Sequence, residues 1–139
     1  MGTRQLIRQG SEADIPRLID MIEALAVSVR GLQCVCRLRT GETLAGLLRD
    51  PQGVVFVSAG GFIAGRIMRT VISPAPVAFE LGWFASDRSG LRLLRAFETW
   101  AAEQGATLIK MSANGGAAER ILERRGYAVA EVQMVKKVG

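Results

Sequence analysis

Glu80 stands in an apolar run, FELGWF, where a carboxylate is unusual. Burial there would raise its pKa and make it a proton acceptor near neutral pH, the property of a general base. The plainer alternative is that Glu80 faces solvent or pairs with Arg66 or Arg69 on a neighbouring strand. Strict alternation puts Phe79, Leu81 and Trp83 on one face and Glu80, Gly82 and Phe84 on the other, so Glu80 could face a cleft. Shortly after comes Asp87-Arg88-Ser89-Gly90, a turn that opens into a long amphipathic helix. The first backbone N–H groups of such a helix have no internal partner and sit at the positive end of its dipole, which suits an anion and phosphate in particular. Arg88 and Arg92 could add charge-assisted contacts. Ser112, near the end of a later apolar run, could donate a proton or simply bond locally.

Several chemistries are excluded by composition. The 139 residues contain no histidine, so Ser–His–Asp and Cys–His catalysis are out. Cys34 and Cys36 lie two apart, which is not a CxxC, and no histidine could complete a zinc site. No metal is expected, and the two thiols read as small apolar residues. Net charge is +5, but the arginines are scattered and aromatic residues are few. A solvated surface with a pocket for an anionic cofactor is therefore preferred over nucleic-acid binding. No window approaches the roughly 20 apolar residues of a membrane span, and MGTRQLIRQG lacks the apolar core of a signal peptide. The expectation is a soluble, cytoplasmic protein with no membrane partner, folded as one domain over residues 1–139.

The elements that must position these residues alternate. A first strand is expected at residues 4–8, then a helix capped by Ser11 or Asp14 with Pro16 in its first turn. Ile15, Leu18, Ile19, Ile22, Leu25 and Ala26 give that helix one apolar stripe, and Gly31 is its expected end. Residues 32–39 are ambiguous. Thr40 is a candidate cap for a short helix that Asp50-Pro51 stops. Strands are expected at residues 54–59 and 62–72 around a Gly60-Gly61 turn, and at 77–85 after a break through Ser73, Pro74, Ala75 and Pro76. A helix at 89–104 ended by Gly105, a short buried strand at 107–112, a helix at 115–125 ended by Gly126, and a last strand at 127–136 complete the chain. The order β-α-α-β-β-β-α-β-α-β defines an α/β fold.

This order and three of its segments resemble the GNAT superfamily of N-acetyltransferases over essentially the whole chain. IRQGSEADIPRLIDMI is similar to that family's opening strand and helix, and FELGWFASDRSGLRLLRAFETWA to its acyl-CoA motif. LIKMSANGGAAERILERRGY resembles the second motif, an Asn after a strand, a helix containing Ala, and a Gly-aromatic pair at Gly126-Tyr127. The resemblance implies a mostly antiparallel sheet flanked by helices, acetyl-CoA as co-substrate, and transfer of acetyl to an amine on a small molecule or protein. It implies that backbone groups of Trp83, Phe84 and Ala85 pair with pantetheine, one of them near Phe84 or Ala85 holding the oxyanion. The turn through Arg88, Ser89, Gly90, Leu91 and Arg92 would hold the pyrophosphate, with Asn114 near the thioester end and Ala118 as a further cofactor-binding residue. By the same resemblance Glu80 would be the base acting through water, and Ser112 the donor to the thiolate.

The chain departs from the family's pattern in two places. Its phosphate loop is about two residues short and keeps one glycine, Gly90. Leu122 stands where a tyrosine is frequent, and leucine cannot protonate a thiolate. A second function class therefore stays open, a catalytically weak or inactive GNAT-like binding or structural module of the kind that tailed bacteriophages encode. The last strand, AVAEVQMV, could pair with a partner, which makes a homodimer possible.

Overall fold

The computed structural model describes residues 6–139, so part of the strand expected at residues 4–8 lies outside the described residues. Within them, β1 (Arg8–Gln9) is a two-residue strand antiparallel to β2 (Gly53–Val57). The rest follows as α1 (Ile15–Ser28), α2 (Arg37–Arg49), β3 (Gly61–Thr70), β4 (Ser73–Ala85), α3 (Gly90–Glu103), β5 (Leu108–Lys110) and α4 (Gly116–Arg124). The five strands form one sheet in the order β1-β2-β3-β4-β5, antiparallel except for the parallel β4–β5 pair. A mostly antiparallel sheet flanked by helices is the architecture the resemblance implied.

The two-residue period of the strands splits the core into two layers. Val55, Val57, Phe62 and Ala64 pack against Leu18, Ile19 and Met21 of α1 and Leu44 and Leu47 of α2. Val54, Ile63, Ile67 and Ala78 pack on the opposite face against Leu93, Leu94, Phe97, Trp100 and Ala101 of α3, with Leu122 of α4. Asp14 anchors the start of α1: its carboxylate accepts two bonds of 2.8 Å from Arg8 and one of 2.8 Å from the Ser11 N–H.

Local expectations fail at four places, each for a physical reason. The α2 helix begins at Arg37, before Thr40, because the Thr40 hydroxyl turns back to the Cys36 carbonyl at 2.9 Å and sits comfortably inside the helix. Cys34 and Cys36 are both exposed and do not pack as small apolar residues. Ser73 to Pro76 does not break the chain: Thr70 pairs with Ser73, and both prolines belong to β4. Proline's fixed φ suits extended backbone, and at the start of a strand its missing N–H costs no ladder bond. Finally, residues 127–136 form no strand. The α4 helix closes through Gly126 at φ +92° and a Tyr127 N–H bond to the Leu122 carbonyl. Beyond that point β-prone residues find no ladder, and propensity without pairing does not make a strand. As a result β5 is less covered than expected, with Leu108 exposed.

Candidate active site

A bulge in β4 sets the position of Glu80. From Gly61↔Ala85 to Ala64↔Gly82 the β3–β4 pairing runs in step, but Gly65 then pairs with Glu80, leaving Leu81 as an extra residue. The bulge breaks the strict alternation read from sequence. Gly65 turns its α-carbon toward Phe97 of α3, and Glu80, directly opposite, shares that face with Ala78 and Trp83. Gly82 instead meets the Phe62 ring, and Phe84 packs in the α1–α2 layer.

Here the sheet also opens. The β4 and β5 strands pair only through Val77, Ala78 and Phe79 with Leu108, Ile109 and Lys110. Past Phe79, β4 runs on to Ala85 with that edge unpaired among the described residues. Glu80 is the first residue of this fork, and its Oε1 accepts the Ser112 N–H from across the gap at 3.0 Å. Burial pushes the Glu80 carboxyl above its ordinary value, and the Ser112 N–H offsets part of that shift. The structure thus brings Glu80 and Ser112 together. Neither arginine weighed as its partner bonds to it in this way, and Arg66 instead pairs with Asp50 at 3.1 Å.

The fork's backbone groups follow from the ladder. Ser86 donates its N–H to the Gly60 carbonyl at 2.9 Å. Because antiparallel bonds recur every second residue, Phe84 spends its N–H and C=O on β3, while Trp83 and Ala85 turn theirs to the open edge. Of the three residues expected to offer backbone to a ligand, Phe84 is thus turned away. The Trp83 ring is committed too, its Nε1 donating to the Gly90 carbonyl at 3.0 Å.

At the end of β4 the chain turns through residues 86–89 into α3. Ser89 caps the helix and accepts the Leu93 N–H at 2.9 Å, so the N–H groups of Gly90, Leu91 and Arg92 make up its first turn. Arg88 is exposed and adopts a left-handed φ of +65°, unusual without a glycine. Sequence reading missed the role of Asp87. Its carboxylate takes the Gly60 N–H at 2.7 Å, the Ser89 N–H at 3.2 Å and the Ser89 hydroxyl at 2.5 Å. The buried Ser58 and Ser89 hydroxyls lie 2.7 Å apart beneath it, and Arg17 donates to the Ser58 and Ala59 carbonyls at 2.8 Å each. Burial works to raise the Asp87 pKa, but the bonds from Ser89 and Gly60 outweigh it and hold the group ionised below the usual range. An Asp two residues before a helix-capping Ser was the available signal, since that spacing makes an Asx turn.

The remaining expected residues follow β5, in the approach to α4 and on that helix. Asn114 donates to the Val29 carbonyl at 3.4 Å, linking the approach to α4 with the end of α1. Ala118 is half-buried on α4, and Leu122 is 6 % exposed within the α3-side core. Among the described residues, no group of three or more His, Cys, Asp or Glu gathers as a metal site would require. No helix among them is long and apolar enough to cross a membrane.

The bulged β4, the fork against β5 and the turn into α3 are the frame of the GNAT acetyltransferase fold, and this chain has that fold. It is similar over 99 % of its length to AAC(6')-Iy in complex with the bisubstrate analog CoA-S-monomethyl-acetylneamine, which it covers to 99 % at 16 % identity and a TM-score of 0.73. A second similar structure is the aminoglycoside acetyltransferase meta-AAC0020 from an uncultured soil metagenomic sample, in complex with sisomicin (20 % identity, 97 % and 95 % of the two chains, TM-score 0.65). A third is a transcriptional regulator from Bacillus halodurans C-125 (16 % identity, 97 % and 100 %, TM-score 0.78). No model of a known protein family matches the sequence, and no curated protein matches it. At these identities the likeness establishes the fold.

Proposed function

We propose that this protein is an acyl-CoA-dependent N-acetyltransferase that passes an acetyl group from acetyl-CoA to a primary amine by direct attack. One observation carries the reading: β4 carries a half-buried carboxylate and then an open strand edge, and leads through a short turn into the first turn of a helix. The open N–H and C=O groups of Trp83 and Ala85 suit the two amides of pantetheine, added as a strand would be. The first-turn N–H groups of Gly90, Leu91 and Arg92 suit the pyrophosphate. The similar structure that carries a CoA conjugate supports acyl-CoA as the donor.

In this reading Glu80, acting through water, takes a proton from the acceptor ammonium. Its raised pKa makes it a better acceptor than an exposed glutamate. The free amine then forms a C–N bond to the acetyl carbonyl, and an outward N–H at Trp83 or Ala85 stabilises the oxyanion. The C–S bond breaks as the carbonyl re-forms, and the amide nitrogen gives up its extra proton to solvent. The departing thiolate takes a proton from the Ser112 hydroxyl, which recovers one from solvent. The acceptor is a primary amine on a small molecule or a protein, and the binding of aminoglycosides by similar structures makes amino sugars the first class to test. Release of CoA thiol on mixing acetyl-CoA with a panel of amines tests the reading. Turnover that Glu80→Gln abolishes supports it, and binding without turnover against any amine refutes catalysis.

A second reading, a GNAT-like binding module without catalysis, draws on two observations. Asp87 sets a negative charge inside the turn that would meet pyrophosphate. Leu122 occupies the tyrosine position as part of the core.

A further inference from the structure

The turn into α3 keeps one glycine, Gly90, and two more stand opposite it at the β2–β3 connection. Gly60 and Gly61 have no left-handed φ, so the bend itself does not call for them. Close contact does. A β-carbon at Gly60 would lie 2.9 Å from the Ser86 hydroxyl oxygen and 3.0 Å from both Cβ and Cγ of Asp87. One at Gly61 would lie 2.6 Å from the Phe84 carbonyl oxygen and 3.0 Å from the Ser89 hydroxyl oxygen. The bare Gly60 residue is gripped at both of its polar groups. Its carbonyl accepts the Ser86 N–H at 2.9 Å and the Ser86 hydroxyl at 3.0 Å, and its own N–H goes to the Asp87 carboxylate. Arg17 of α1 holds the neighbouring Ser58 and Ala59 carbonyls. Residues 86–89 are thus bonded to a fixed support, which lets Arg88 keep its left-handed φ.

We propose, resting on the acyl-CoA reading, that Asp87 and Gly60 are positioning residues for the diphosphate of the acyl donor. The carboxylate, seated on Gly60, fixes the short turn so that the N–H groups of Gly90, Leu91 and Arg92 meet that group together. A glycine-rich loop closes on phosphate by conformational freedom, whereas this turn is held in place by a side chain and by glycines of another connection. The charge of Asp87 is spent inside the brace. One oxygen takes the Gly60 N–H and the other takes the N–H and hydroxyl of Ser89, a residue buried completely. The predicted sign is therefore opposite to simple repulsion between Asp87 and the ligand. Neutralising Asp87 releases the turn and weakens the hold on the diphosphate.

Calorimetric titration with CoA and with pantetheine, which lacks the diphosphate, tests this through the ratio of the two Kd values. The wild type should prefer CoA. Asp87→Asn keeps the shape of the side chain and removes one acceptor, and should lower that preference about tenfold. Gly60→Ala forces residues 86 and 87 back by a few tenths of an ångström and should lower it about three- to tenfold. Combined, the two changes should lose less than the product of their separate effects, because both act through one contact. If Asp87→Asn does not fold, Gly60→Ala decides. A preference that is unchanged, or that rises in Asp87→Asn as repulsion would have it, overturns the proposal. Equal losses for both ligands overturn it too, since they mark a structural role only. A wild type that binds CoA no better than pantetheine overturns the brace and leaves the acyl-CoA reading standing, whereas one that binds neither overturns both.

Discussion

Gly65→Ala tests whether the bulge and the close seating of α3 are built as described. A β-carbon added at Gly65 would lie 2.3 Å and 2.6 Å from the Phe97 ring and 2.6 Å from the Phe79 carbonyl oxygen. Ordinary contacts begin near 3.4 Å, so roughly 1 Å of movement is needed on two sides. Neither neighbour yields easily. Phe97 is fully buried in the α3-side core, and the Phe79 carbonyl belongs to the backbone of β4 just before Glu80. Overpacking costs about 1–3 kcal/mol, and two stiff neighbours put this site at about 3 kcal/mol. For a domain of this size that lowers Tm by roughly 10 °C. Gly46→Ala is the matched control, since its added methyl meets nothing within 4 Å on the exposed side of α2. It should raise stability by about 0.5–1 kcal/mol through helix propensity. Melting curves followed by circular dichroism give both values. A Gly65→Ala protein melting within about 2 °C of wild type refutes the close approach, and with it the bulge that turns Glu80 onto the α3 face.

Three further outcomes follow from the same geometry. Glu80→Gln keeps an acceptor for the Ser112 N–H and removes a half-buried charge. Turnover should fall about 10²–10⁴-fold while the Tm at pH 7 stays level or rises, and a matching loss of both would make Glu80 structural only. The sign follows from linkage: with a raised folded pKa, the Glu80 contribution is full below its unfolded value and is lost as pH rises through the folded one, so only the base function needs higher pH. Asp14 and Asp87 work in the opposite direction. The Arg8 guanidinium holds Asp14 far below the carboxylate range, and the Ser89 and Gly60 donors outweigh burial at Asp87. Their contributions are present above the unfolded value near 3.9 and should fade as pH drops below it, a loss that urea titrations at pH 3 and 6 would measure and that Asp14→Asn should reduce. Asp87→Ala leaves the Gly60 and Ser89 N–H groups without their acceptor and should cost about 1–3 kcal/mol in the same titrations.

Much of the fold was legible because its signals are local. Pro16 opening α1, Gly105 and Gly126 closing two helices, and the stripe from Leu93 to Ala101 each act within one turn of chain. The turn into α3 was legible for the same reason. What stayed hidden depends on partners far along the chain. The bulge at Leu81 arises because Gly65 lets Phe97 press on β3, a contact between residues 32 apart in sequence that no periodicity records. It put Glu80 and Gly82 on opposite faces of the sheet, where simple alternation puts them on one. The Asp87 bonds to the β2–β3 turn were hidden likewise, since Gly60 lies 27 residues away. The last strand failed as a reading because its alternating pattern states a preference and not a partner.

Acetyl-CoA titration, followed by calorimetry and by Tm, tests most directly whether the fork holds an acyl-CoA. Saturable binding of one molecule per chain is expected, with about 2.7 kcal/mol of added stability at 100 times Kd, or roughly 10 °C in Tm. Arg88→Glu, a charge reversal on an exposed loop side chain, should weaken that binding without lowering the Tm of the free protein. No heat and no Tm shift at millimolar acetyl-CoA would contradict the proposed site.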